Sequence, residues 1–208
     1  MHNVNGIPDP VADPGAALDK TDALQAVIRQ HHVVVLTETR TNELDRLMHD
    51  LQGTHVLIHA TRIPSNCVGL PGYGVAVVAS VVCADYLQVF AVSEALQCIW
   101  IRCNLALFGI GADVMLGAVY INPQSDRFHG HELTDTFSSL MDEVARALQV
   151  TPHLVLCGDF NAHVGQLSEV TDAHVGLLMA HPALRNARRC KSCKTNPAGK
   201  LLIELASV

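Results

Sequence analysis

Apolar positions follow two rhythms along the chain, and the switch between them outlines the fold. Leu18, Leu24, Val27 and Ile28 share one face of a 3.6-residue period, with Asp13 as N-cap and Pro14 at the first helical position, so a helix is predicted to about Gln30. The unbroken run Val33-Val34-Val35-Leu36 predicts a buried strand. Leu44, Leu47, Met48 and Leu51 predict a second helix, closed by Gly53. From His55 to Tyr120 the pattern becomes strand-like: 55–61, 74–80, 87–91, 98–103 and 114–120, separated by Gly, Pro, Asn and Asp turns, with no helix of useful length between them. Helical spacing returns at 132–149, where Leu133, Phe137, Leu140, Val144 and Leu148 share a face and lead into the strand Leu154-Val155-Leu156-Cys157. Asn196 caps a last helix, with Pro197 at its first position and Leu201, Leu202 and Leu205 on its apolar side. At the front, His2 to Ile7 reads as the end of a strand entering a turn, because Gly6, Pro8, Pro10 and Pro14 forbid a regular element there. Helix-strand alternation at both ends of an all-strand centre implies an α/β sandwich of two sheets with helices outside.

Composition narrows the setting. The chain has 208 residues, enough for one domain with a substantial core, and 49% are hydrophobic against 16% charged. No apolar run reaches the roughly 18 residues that span a bilayer, and no basic-then-apolar leader pattern opens the chain. These features predict an intracellular protein of nucleus or cytoplasm, neither secreted nor bound to a membrane. Seven Cys, an odd number mostly inside apolar runs, fit small hydrophobes in a reducing compartment. The formal net charge of -6 argues against nonspecific coating of DNA, which needs cations to displace phosphate counterions. One stretch departs from that balance: Arg185 to Lys200 carries six basic residues and no acidic one, which suits either a local anionic partner or a solvated loop.

Candidate chemistry collects where apolar strands end. Asn3, Glu38, Tyr120 and the pair Asp159 and Asn161 each follow such a run, and strand ends are where α/β folds place sites. A carboxylate there can bind a hard cation such as Mg2+, which keeps several waters for a substrate phosphate. A second carboxylate can orient or deprotonate a water, while Asn and Tyr hydrogen-bond phosphoryl oxygens whose charge grows in the transition state. Alone, Glu38 reads as a loop carboxylate and Asp159-Phe160-Asn161 as an Asx turn. Their joint order sets them apart. His31-His32 and His129-Gly130-His131 lack ligand partners at metal spacing. Cys190-Lys191-Ser192-Cys193 lacks a second pair, and the glycines of Gly69 to Gly74 lead into a strand rather than a phosphate-binding helix.

Asn3-Val4-Asn5-Gly6-Ile7, Leu36-Thr37-Glu38-Thr39, Gly74-Val75-Ala76-Val77, Gly117-Ala118-Val119-Tyr120 and Leu156-Cys157-Gly158-Asp159-Phe160-Asn161-Ala162 together resemble successive motifs of the endonuclease/exonuclease/phosphatase family. Within it the likeness is to the apurinic-type endonuclease domains that precede reverse transcriptase in non-LTR retrotransposons, and Asn196-Pro197-Ala198-Gly199-Lys200-Leu201-Leu202 resembles the helix that follows the Gly-Asp-Phe-Asn strand. The resemblance implies a four-layered sandwich of two mixed β-sheets flanked by helices. It also implies that Glu38 ligates Mg2+, or Mn2+ in its place, with Asn3 nearby. Tyr120 would contact the phosphate, Asp159 would position or activate the attacking water, and Asn161 would orient the scissile phosphate. DNA would be the substrate and a downstream reverse transcriptase domain the partner in a longer protein. Hydrolysis of RNA or of a phospholipid or inositol phosphate on the same fold, or a non-catalytic remnant, are the alternatives. Departures accompany the match. Tyr120-Ile121-Asn122-Pro123 replaces the family's Tyr-x-Pro-Asn, and neither the later Asp nor the Ser-Asp-His motif occurs. The expectation is therefore a single domain over 1–208, truncated at both ends with its last strands missing, and inactive as it stands.

Overall fold

The structure is a computed structural model that describes residues 2–3, 14–39, 41–61, 74–108, 111–121, 133–164 and 194–206. The Asp13 cap, the Gly69 to Tyr73 turn, Asn122, the Cys190 and Cys193 pair and most of the basic stretch lie outside them. Two compact units emerge, one of residues 1–121 with 144–159 and one of 122–143 with 160–208.

The first unit contains both sheets. Strands β1 (His2–Asn3), β2 (Val33–Thr39), β3 (His55–Thr61) and β4 (Gly74–Ser80) form one in the order β1-β2-β4-β3. Strands β5 (Leu87–Ser93), β6 (Cys98–Asn104), β7 (Asp113–Tyr120) and β8 (Leu154–Asp159) form the other in chain order. Each sheet is mixed: β1 runs parallel to β2 and β7 parallel to β8, while all other pairs are antiparallel. Helices α1 (Pro14–Gln30) and α2 (Thr41–His49) belong with the first sheet. The α/β sandwich of two mixed sheets flanked by helices is thus the one expected.

Residue parity explains why the strands read as continuous apolar runs. In β4, Val75 and Val77 join Val35, Ile99, Ile101 and Ala118 between the sheets. Ala76 and Val78, one residue out of phase, pack with Leu24, Ile28, Val34, Leu36, Leu44, Leu47 and Leu51 beneath the helices. A strand covered on both faces needs apolar side chains at both parities. Each fully buried Val, Leu or Ile contributes about 1.5–3 kcal/mol, so these two clusters contribute strongly to the stability of the unit. Gln25 is one of the buried polar residues, and its Nε2 donates to the Leu47 carbonyl at 3.1 Å, tying α1 to α2.

Two short helical turns interrupt the strand-rich centre, α3 (Val81–Ala84), capped by Ser80, and a 3-10 turn at Leu105–Phe108. The long helix α4 (Leu133–Val150) begins in the second unit and ends in the first, where Thr151 Oγ1 donates to the Asp113 carbonyl at 2.7 Å and the Met115 N–H to the His153 carbonyl at 2.8 Å. These bonds fix where β8 starts beside β7. In the second unit α5 (Pro197–Leu205) opens at Asn196, as its Asn-Pro sequence predicts.

Candidate active site at the strand ends

Glu38 owes its position to an irregularity in β2. Leu36 pairs with Ala76 and Thr37 with Val75, but it is Thr39 that pairs with Gly74, so Glu38 is an extra residue bulged out of the ladder. Its φ of 58° lies in the left-handed region, which few non-glycine residues occupy. Its neighbours share the anomaly. Thr37 and Thr39 are 0% and 2% exposed, and neither hydroxyl has a hydrogen-bond partner. An orphaned buried hydroxyl costs about 1–3 kcal/mol, and persistent strain of this kind concentrates at functional sites. Asn3 pairs in register with Thr37, so the backbone of β1 ends beside the bulge.

The β8 end is regular. Tyr120 and Asp159 occupy paired positions on adjacent parallel strands, and the Ile121 N–H donates to the Asp159 carbonyl at 2.8 Å. Gly158 makes that approach feasible. Its φ is 149°, and a Cβ there would overlap the Val119 carbonyl oxygen. Asp159 is half-buried. Tyr120 is only 3% exposed and belongs to the inter-sheet cluster, so its ring is a core residue as well as a site candidate. Behind Asp159, burial raises the Cys157 thiol above its ordinary range, keeping it protonated and inert at neutral pH.

The structure therefore brings Tyr120 together with Asp159, and Asn3 together with the strand of Glu38. Strands β2 and β8, which carry the two carboxylates, approach one another across the sandwich. Asn161 falls in the second unit, with φ 46°. Among the described residues no three His, Cys, Asp or Glu side chains converge on a metal position. A cation that keeps most of its waters, such as Mg2+, needs only one or two carboxylates, so Glu38 between two unsatisfied hydroxyls still fits it. A separate polar cleft of about 290 Å³ lies at the opposite ends of β5, β6 and β7. Its cation, Arg102, is already held by Asp113 through Nε at 2.7 Å and through Nη2.

Sequence reasoning missed the two threonine hydroxyls, because Thr beside an apolar run reads as a strand end. A family comparison decides the identity of the fold. The model of the Endonuclease/Exonuclease/phosphatase family matches residues 2–172, most of the chain. The chain belongs to this family. Endonuclease/exonuclease/phosphatase proteins are generally dependent on a divalent metal, and the fold is that of their phosphodiesterases and phosphatases. Solved structures similar to this family member include TDP2 from Caenorhabditis elegans, with 16% identity and a TM-score of 0.49 over 79% of this chain and 48% of that one. ANGEL2, a 2',3'-cyclic phosphatase, has 13% identity and a TM-score of 0.44 over 68% and 42%. A mannosyl-6-phosphatase from Bacteroides thetaiotaomicron has 13% identity and a TM-score of 0.44 over 76% and 61%. The chain spans less than two thirds of the length of each. No curated protein matches. No helix among the described residues is long and apolar enough to cross a membrane.

Proposed function

We propose that the chain is one phosphodiester-hydrolase domain of the endonuclease/exonuclease/phosphatase type, derived from the DNA-nicking endonuclease of a retroelement. The observation that carries the reading is the pairing of Tyr120 with Asp159 at the ends of β7 and β8, while Glu38 ends β2 on a strained bulge. Glu38, with Asn3 on the neighbouring strand, would hold Mg2+ or Mn2+. The bound cation would supply charge neutralisation for a phosphoryl group. Asp159, an acceptor through both oxygens when ionised, orients a water and takes its proton. The Tyr120 hydroxyl and the Asn161 amide donate to phosphoryl oxygens, holding the scissile group in line. A nick made this way leaves a 3'-hydroxyl, the primer that a reverse transcriptase domain in a longer protein would extend. The short loops and the Asn196-Pro197 helix favour DNA over RNA or a lipid phosphate.

Binding and turnover separate on this reading. The sequence contains no Ser-Asp-His, so no residue matches the histidine that the family uses on the phosphate. The expected result is a chain that binds a DNA duplex in a Mg2+-dependent way, by roughly tenfold over EDTA as for charge-assisted contacts, and does not nick supercoiled plasmid. Glu38→Gln should erase the Mg2+ increment. Equal binding in EDTA and Mg2+ would overturn the metal site, and Mg2+-dependent nicking abolished by Asp159→Ala would overturn the expected inactivity.

A further inference from the structure

The segment after β8 is bonded by side chains from far along the chain, Asn196 above all. Asn196 Nδ2 donates to the Asn161 carbonyl at 2.9 Å. Its Oδ1 accepts twice, from the His163 N–H at 2.9 Å and from the Gly199 N–H at 2.8 Å, the second being the N-cap bond of α5. The Asn196 N–H donates back to the His163 carbonyl at 2.9 Å, and Val164 pairs with Thr195 as an isolated antiparallel bridge. Close approach completes the arrangement. A Cβ on Gly199 would overlap the His163 carbonyl oxygen, so 161–164 lie against the first turn of α5 at a spacing that only glycine permits.

The chemistry of this position is narrower than a helix cap requires. Asp, Ser or Thr would cap α5 as well as Asn. Among these, an amide combines an acceptor for the two N–H groups with a donor NH2 aimed at Asn161. Asn161 also has something to be held in. Its left-handed φ of 46° is a conformation that persists where surrounding bonds determine it.

We propose that Asn196 is the positioning residue for Asn161: the α5 cap fixes the amide, and the remaining donor locks the left-handed turn from which Asn161 reaches a phosphate. The inference rests on the proposed phosphate role of Asn161. Asn196→Asp isolates it, because a carboxylate keeps both acceptor bonds and the cap but cannot donate to the Asn161 carbonyl. The experiment measures binding of a fluorescein-labelled DNA duplex in Mg2+, with thermal melting alongside, for the full chain, Asn161→Ala, Asn196→Asp and the double variant. Asn196→Asp should still melt cooperatively, lowered only by the loss of one hydrogen bond, yet weaken binding roughly tenfold, as Asn161→Ala does, the size expected for one hydrogen bond to a charged group. The double variant should be no weaker than Asn161→Ala, which separates lost positioning from simple repulsion between a new carboxylate and DNA. If Asn161→Ala weakens binding and Asn196→Asp does not, or if the two penalties add, positioning is overturned alone. If Asn161→Ala is silent, the phosphate role of Asn161 falls and this inference falls with it.

Discussion

The ends of β2 and β8 each carry a carboxylate and hold it in opposite ways. At the end of β2, Glu38 sits on a left-handed bulge between two buried hydroxyls that bond to nothing. At the end of β8, Asp159 stays in regular register with Tyr120, and two side-chain bonds tie the chain beyond it to Asn196, the cap of α5. One end stores unsatisfied polarity; the other has spent its polarity on geometry. A bound cation or phosphate would therefore stabilise the β2 end most, because that is where buried polar groups lack partners and the backbone is strained.

The largest test of this contrast is at the rigid end. Gly158→Ala places a methyl group on the Val119 carbonyl oxygen at a φ of 149° that side chains avoid, and the obstacle is backbone that belongs to the β7–β8 ladder. Relief requires the two parallel strands to separate where Tyr120 meets Asp159. A loss of about 3 kcal/mol or more is expected from urea unfolding, a large share of the roughly 5–15 kcal/mol that holds a domain folded. A loss under about 0.5 kcal/mol, the usual range of a surface substitution, would show that the β8 end is not rigid and would remove the contrast.

The strained end should respond with the opposite sign. Glu38→Gly relieves the left-handed conformation at the bulge, which costs an ordinary residue about 1–2 kcal/mol, while the added freedom of the unfolded glycine returns part of that. A net gain of about 0.5–1 kcal/mol in unfolding free energy is expected, together with loss of Mg2+-dependent DNA binding. Stability bought at the expense of the site would mark Glu38 as a residue placed for function. Destabilisation by this variant would mean that the carboxylate supports the fold instead.

This division also marks how far the amino-acid sequence could be read. Wherever burial imposes a period, the elements were legible: α1 from Leu24 and Ile28, β4 from its unbroken Val and Ala run, and α5 from Asn196-Pro197. The predicted β2 stopped at Leu36, where the apolar run ends; the strand in fact runs to Thr39 with both threonines buried. No local pattern announces a bulge, since its cause is the register with Gly74, thirty-five residues downstream. Asn196 was legible as a cap, yet its bond to Asn161 was not, because it joins two segments that share no period. Tyr120 shows the limit from the other side. A site motif and a core position coincide there, and only the packing reveals the second. Of the four described cysteines, Cys83 and Cys98 are buried as small hydrophobes are, while Cys103 and Cys157 are half-buried.

The smallest effect probes the packing between the sheets. Cys103 and Cys157 flank the inter-sheet cluster, and burial raises both thiols. Burial, then the neighbouring Cys157 and Cys83, pushes Cys103 from 9.0 up to about 11. Because the folded state favours the neutral thiol, the unfolded chain ionises first as pH rises. The stabilisation is full below pH 9.0 and is lost as pH climbs through about 11. Cys103 is half-buried, so solvent screens part of the effect. Comparison with Cys103→Ala isolates it from the lysines and tyrosines that titrate in the same range. The parent should lose stability more steeply than the variant between pH 9 and 11. Parallel curves would show that the thiol reaches water in the folded state, and that the filling between the sheets is looser than the register of β7 and β8 implies.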